Sequence, residues 1–357
     1  MELIPEWAPN IHPLVIHFPI AFLILAFGAN LITFFVSDKW WDELKNTFLY
    51  LIGAVSAIAV YYTGKAAADS IFLPTEAQSV LNNHADWALY TVWFFGIYAV
   101  LRIASHWLKL LDRKIMRVLL FALAAPGIFL LYETGEHGGE MVYGYGAGTG
   151  QLLTEEPSEP VYSESLLNES TSSFVTNENG NWRWAMGPNA VTELLQNFHW
   201  VSGSVNELSP ATVQSEDNFL LKLTAANTPN FFVSHDRYQN VQVDIYLSMS
   251  DFNGEIELVH HFLDTENYDY VSLNSDGTVI QGRISGGSDT KFEEATDSEA
   301  GMLFIRVVGN GTHFRGYINQ QMVVHGHGDA PSSGAAGIRI QGSGDILIDK
   351  FELTQLN

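Results

Sequence analysis

Four long apolar runs constrain this chain more than any other feature. They fall at about 13–36, 46–64, 84–108 and 117–135. Each reaches or approaches the roughly 20 residues that a helix needs to cross a hydrocarbon core. The runs are apolar all round rather than along one stripe, which argues against a soluble bundle. Arg102 sits near the end of the third run, where it is expected to snorkel towards an interface. The first run is too long for a signal-peptide core, and no small-residue cleavage site follows it, so it is expected to remain as an anchor.

Charge in the connections sets an orientation. The first connection carries Lys39 and Lys45, the third Lys109, Arg113, Lys114 and Arg117, and the second only Lys65. The positive-inside rule places the first and third in the cytoplasm. The N-terminus and everything after about 136 are then expected on the outer side. Trp40, Trp41 and Trp107 fit an aromatic belt at the inner interface, Trp7 and Trp87 one at the outer.

This orientation gathers histidines. His12 and His17 stand at the outer end of the first helix, His84 opens the third and His137 follows the fourth, while His106 stands alone on the other side. At 1.5 Å per residue, His17, His84 and His137 rise about 33, 37 and 30 Å above the inner loop cations. A titratable cluster at a helix mouth is costly unless paired or bound. Three readings stay open. The cluster ligates a b-type haem, with His17 and His84 as axial ligands and His12 and His137 as supporting donors. It binds copper or zinc through His17 and His84, with Glu136 or Glu140 nearby. Or the histidines bond the backbone and help pack the bundle.

The stretch HPLVIHFPIAFLIL, His84, and GGEMVY at the end of the fourth run resemble the four-helix bacterial membrane family catalogued as domain of unknown function 2231, over about 10–148. In that family a histidine follows the GG-x-LVY stretch. Here Tyr145 occupies its place, so a ligand role there is missing or passes to His137. The resemblance implies a bacterial inner-membrane protein and assigns no biochemistry.

Composition changes after about 150. Residues 1–150 hold 8 Lys+Arg and 12 Asp+Glu, residues 151–357 hold 9 and 28, so the nets are −4 and −19. A half this acidic repels nucleic acid. The absence of cysteine excludes disulfides, zinc thiolates, iron–sulfur clusters and c-type haem attachment. The acidic stretch 149–172 reads as a solvated linker between a transmembrane domain at 1–148 and a β-sandwich at 173–357.

From 173 onward the pattern is of short, partly alternating strands. They include FLLKLTA, VQVDIYLSM, EIELVHHFLD, MLFIRVVGN, AGIRIQG and DILIDKFEL, separated by Gly, Asn, Asp and Ser. This predicts an all-β sandwich. NYDYVSLNSDGTVIQGRI, FRGYINQQMVVHG and AGIRIQGSGDILIDKFEL resemble a concanavalin A-like or laminin G-like jelly roll, including the domain named for 3-keto-disaccharide hydrolase, over about 175–355.

Catalytic signals are weak. Glu255 and Glu257 share a strand face, which is expected to be solvated. His260, His261, His325 and His327 are candidate metal ligands, but HGHGDAPSSG reads as a loop. Trp182, Trp184 and Trp200 can stack on sugars if exposed. The sandwich is expected to bind or dock rather than catalyse. Two functions follow. One is a membrane haem protein whose acidic domain docks a periplasmic cytochrome or a membrane complex. The other is a membrane-anchored carbohydrate-binding or assembly protein.

Overall fold

A computed structural model describes residues 10–35, 41–148, 173–177, 179–215 and 218–356. The stretch 149–172 lies outside them, as do Trp7, Lys39 and Trp40. The chain divides into two compact units, Met1–Glu155 and Glu156–Asn357.

In the first unit, α1 (His12–Val15) runs into α2 (His17–Ile32), followed by α3 (Glu43–Asp69), α4 (Ala77–Trp107) and α5 (Lys114–Tyr145). The spans His12–Ile32, Glu43–Ala68, Ala77–Trp107 and Lys114–Tyr145 are long and apolar enough to cross a membrane. Pro13 stands in the first turn of α1, where its missing N–H has no partner to lose. Asp42 caps α3 by accepting the Lys45 N–H at 3.0 Å. Gly146, at φ 70°, closes α5.

The bundle core is small and aromatic, with Leu23, Tyr50, Phe95, Tyr98 and Ala124 at its centre. Glycines let the helices approach. Gly53 lies against Leu23, and Gly127 against Phe94 and Phe95. Large apolar side chains such as Ile24, Val55, Trp93 and Phe129 face outward. That is the distribution a lipid bilayer requires.

Two helices outrun the apolar runs that announced them. Helix α4 begins at Ala77, so His84 lies two turns inside it. Helix α5 continues to Tyr145, so His137 is within the helix and not beyond it. The Gly138–Gly139 pair costs about 1 kcal/mol per residue in helix propensity. Gly138 packs closely against the His84 ring, which a Cβ there would meet at 3.0 Å.

The second unit is an antiparallel β-sandwich. Its strands are β1 (Phe174–Thr176), β2 (Trp182–Ala185), β3 (Phe198–Ser202), β4 (Ala211–Ser215), β5 (Asn218–Ala226), β6 (Asn230–Ser234) and β7 (Val241–Asp264). They continue as β8 (Asn267–Asn274), β9 (Thr278–Ser285), β10 (Ser288–Thr296), β11 (Met302–Asn310), β12 (His313–Ile318), β13 (Gln321–His327) and β14 (Ala335–Gln355). Two short helices, α6 (Ala190–Asn197) and α7 (Val205–Leu208), interrupt the early strands.

Two strands organise everything else. β7 has 24 residues and β14 has 21, and they pair with each other along nearly their whole lengths. The first half of β7 and the second half of β14 belong to one sheet, ordered β1-β2-β14-β7-β11-β12-β13. Their other halves belong to the second, in which β6 and β8 flank them and β3, β9 and β10 follow outward. β5 pairs with the middle of β14, and β4 with β5.

The crossing from sheet to sheet falls where Gly254 faces Gly342, with φ of 150° and 154°. A Cβ on Gly254 would meet the Gln341 carbonyl at 2.3 Å. Only glycine fits that approach. The core between the sheets comes from alternate residues such as Val243, Ile245, Leu247, Leu303, Ile305, Ile338, Ile348 and Phe351.

Candidate functional site

The predicted haem or metal ligands separate into two groups. His12, half-buried, holds its Nδ1 3.2 Å from Thr63 Oγ1, and its ring lies against Gly64 of α3. His84 holds its Nδ1 2.9 Å from the Thr134 carbonyl, so that nitrogen carries the proton and donates. Its Nε2 is thereby left with a lone pair. The His84 ring lies against Gly138 of α5. His12 is within electrostatic reach of His84, and His84 of His137. Three of the four predicted residues therefore share one end of the bundle.

His17 does not join them. It is exposed, one residue past the junction between α1 and α2. Because His12 and His17 are five positions apart in the chain, the two rings point to different sides of the helix. His12 is the one that turns towards His84. His137 lies 3.7 Å from Glu140, and its Nδ1 is buried without a hydrogen-bond partner. Glu133, Glu136 and His137 bring their ligand atoms within 4.8 Å of one another.

The opposite half of α4 holds a feature that periodicity did not reveal. Arg102 is fully buried and does not snorkel. Its Nη2 donates to Glu43 Oε2 at 2.6 Å, its Nη1 to Asn30 Oδ1 at 3.1 Å, and its Nε to Thr47 Oγ1 at 3.2 Å. The guanidinium also lies 5.0 Å from the Tyr50 ring centroid. Glu43 accepts further from Thr33 at 3.3 Å and Asn46 at 3.4 Å. A buried ion pair needs such additional bonds to offset the desolvation of both charges.

In the sandwich, the outward face of the first sheet is polar and aromatic. Tyr246 of β7 stands between Lys350 of β14 and Phe304 of β11 in direct cross-strand register. The Tyr246 and Phe304 rings are 4.9 Å apart, with Lys350 Nζ 5.6 Å from the first and the Arg306 guanidinium 5.5 Å from the second. The next row runs Arg183, Glu352, Asp244, Arg306 and Tyr317 across five strands. Arg183 pairs with Glu352 at 2.7 Å, and Arg306 grips both oxygens of Asp244 at 2.8 and 2.7 Å. A cleft of about 400 Å³ opens beside Arg183, Asn218, Tyr246, Asp349 and Lys350.

The three tryptophans that could stack on sugars if exposed are instead packed inside the sandwich. Trp182 and Trp184 are buried in the inter-sheet core, and Trp200 packs against it. Trp184 satisfies its indole N–H on Glu193 at 3.0 Å. Their flanking Arg183 is the residue that reaches the outer face. Glu257 is buried rather than solvated, and it pairs with Arg339. Burial pushes its carboxyl up to about 7 despite the Arg339 charge.

Two clusters with metal-ligand spacing form among the described residues of this unit. His260 and His261 bring their Nδ1 atoms to 2.7 Å, and His261 Nε2 donates to the Gln239 carbonyl at 2.8 Å. Asp269 lies 3.6 Å from His261 and accepts from Arg283 at 2.5 and 3.0 Å. The second group is His313, His325 and His327. Their ligand atoms lie within 4.8 Å of one another. His325 and His327 are on strand β13, not in a loop, because hairpin pairing with β12 continues through His327.

These units define a class: a membrane four-helix unit joined to an antiparallel β-sandwich. Residues 8–151 match the family described as "Predicted membrane protein (DUF2231)". No curated protein matches the chain. Solved structures similar to the sandwich include the carbohydrate-binding module CBM66 from Bacillus subtilis, at 14% identity and TM-score 0.35, covering 43% of this chain and 94% of that one. A protein of unknown function with a galectin-like fold, also from Bacillus subtilis, has 11% identity and TM-score 0.38, covering 52% and 97%. The β-glucanase of Bacillus licheniformis has 8% identity and TM-score 0.36, covering 44% and 92%.

Proposed function

We propose that this chain is a membrane-anchored glycan-binding protein, with a preference for acidic sugars. The four helices hold it in a bacterial inner membrane, with the sandwich on the periplasmic side. The observation that carries the reading is the outward face of the first sheet. Three of the nine Lys and Arg of a half with net charge −19 stand on it around the aromatic pair: Arg183, Arg306 and Lys350. Tyr246 and Phe304 stand among them, beside an open cleft. Aromatic faces suit the C–H face of a sugar ring, and guanidinium suits a sugar carboxylate. A concave site with a few placed polar groups is the usual form of a ligand site.

The test is affinity electrophoresis of the detergent-solubilised protein through gels containing polygalacturonate, alginate or neutral glucans. Retardation by the acidic polymers, weakened by salt and by Arg183→Gln with Lys350→Gln, is the expected result. Equal mobility in every gel would overturn the reading.

One observation favours a second reading, a ligand site at the helix ends. His84 donates its Nδ1–H to a backbone carbonyl and keeps Nε2 available, the tautomer a metal or haem ligand needs. His12, not His17, is then its partner. With b-type haem bound, the unit would pass electrons, and the acidic sandwich would dock a basic periplasmic cytochrome. A red preparation with reduced-minus-oxidised bands, lost in His84→Ala and kept in His106→Ala, would support this. A colourless preparation would remove haem and leave a metal ion or a packing role.

A further inference from the structure

We infer that His313, His325 and His327 form a transition-metal site on the β12–β13 hairpin, of the zinc, copper or nickel class. The inference stands apart from the glycan reading and uses different residues. Its basis is strand geometry. His325 and His327 are two residues apart on β13, so they project from the same face about 7 Å apart along the strand. His313 is the direct cross-strand partner of His327, and Arg315 of His325. All three imidazoles therefore leave the hairpin on one side. Their ring centroids are 4.9 Å apart for His313 and His327, 4.6 Å for His325 and His327, and 6.4 Å for His313 and His325.

Three imidazoles around one tetrahedral ion need nitrogens about 3.3 Å apart, given metal–nitrogen bonds of about 2.0–2.1 Å. The ligand atoms already lie within 4.8 Å of one another. The hairpin is held from behind, because Glu293 of β10 accepts the His325 backbone N–H. Ligands on a rigid pair of strands give a better-defined site than ligands on a loop.

Three histidines supply three of the four ligands of a tetrahedral ion, the ligand count of a site that takes water or a ligand group in the fourth position rather than of a purely structural ion. Arg315 stands on the same face, next to two of the histidines. Its positive charge lowers affinity for a bare cation and favours an anionic fourth ligand, such as a carboxylate.

The other such cluster in this unit, His260, His261 and Asp269, is already engaged. Each ring nitrogen of His261 already has a partner, and both oxygens of Asp269 accept from Arg283. A metal ion there would have to displace Arg283 from a bidentate pair.

The test uses the full-length protein in detergent, purified without a histidine tag. Cobalt(II) is titrated as a coloured probe and zinc is counted by elemental analysis. Wild type is compared with His327→Asn, an exposed position that tolerates change, and with His325→Ala/His327→Ala. A further variant, His199→Ala/His235→Ala, removes a stacked histidine pair elsewhere on the sandwich. The expected result is loss of one equivalent of zinc and of the tetrahedral cobalt bands in the double variant. A drop in affinity of about 100-fold is expected for His327→Asn, with no change in the His199/His235 control. Any ion at the helical histidines or at Glu133, Glu136 and His137 would persist in all variants. Undiminished stoichiometry in the double variant, or no zinc bound by wild type, would overturn the assignment.

Discussion

At the scale of single residues, three buried titratable groups of the sandwich respond to pH in opposing directions. Burial, together with the neighbouring His261, lowers His260 to about 3 from an ordinary 6.5. The fold keeps this imidazole neutral while the unfolded chain takes up a proton, so stability falls as pH drops from 6.5 towards 3. Asp269 adds to that loss. Burial alone would raise it, but hydrogen bonds from His261 and Arg283 prevail and hold it at about 2. Its contribution is complete above 3.8 and disappears as pH falls through about 2. Glu257 has the reverse sign. Its carboxyl holds a proton up to about 7, where an unfolded chain loses it near 4.5, so stability declines as pH rises across that window. Thermal unfolding followed from pH 4 to 8 tests this. Glu257→Gln is expected to match wild type at the acid end and to gain relative Tm at the alkaline end, whereas an unchanged difference across the range would refute the buried protonated carboxyl. His260→Phe, which keeps a ring beside Phe314, is expected to flatten the acid limb.

At the scale of elements, one ion pair and one pair of glycines control how segments meet. Arg102 of α4 and Glu43 of α3 join two helices by a buried charge pair. Glu43→Gln leaves the guanidinium buried without its counter-ion, at an expected cost of about 3–5 kcal/mol. Replacing both residues by apolar ones of similar size is expected to recover more than half of that, read from thermal unfolding in detergent. Gly254→Ala puts a side chain at φ 150° and against a carbonyl, a loss of at least 1–3 kcal/mol by backbone strain alone, on the order of other such positions. The same two places mark the boundary of what could be read from the amino acids. Apolar runs announced four spans, because a bilayer demands continuous apolarity. Yet they stopped at polar residues through which α4 and α5 continue, since helices also extend beyond hydrocarbon. SDFNGE and QGSGD looked like turns between strands. In the fold they are bends within β7 and β14, because each glycine lets a strand change sheets without ending. The histidine triad depended on register. His313 is twelve residues from His325, and only hairpin pairing makes them neighbours. Arg102 looked peripheral because its partner, Glu43, is 59 residues away.

At the scale of the whole molecule, orientation is testable directly. Six cations at 39–45 and 109–117, against Lys65 alone in the second connection, predict an outer C-terminal half. A reporter active only in the cytoplasm, fused after Asn357, is expected to be silent, and activity would invert the arrangement. Residues 173–357 expressed alone are expected to be soluble, acidic and β-rich, since their core closes between their own two sheets. An aggregated or helical product would contradict an independent sandwich. The shared long strands carry a further consequence, for biogenesis. β14 is a central member of both sheets, and it is the last of the described strands to be synthesised. Until residues 335–355 have emerged, β2, β5 and β6 have no central strand to pair with, and the inter-sheet core lacks Ile338, Ile348 and Phe351. Strands β7 to β13 have partners among themselves, but the sandwich cannot close over its core until that final strand arrives.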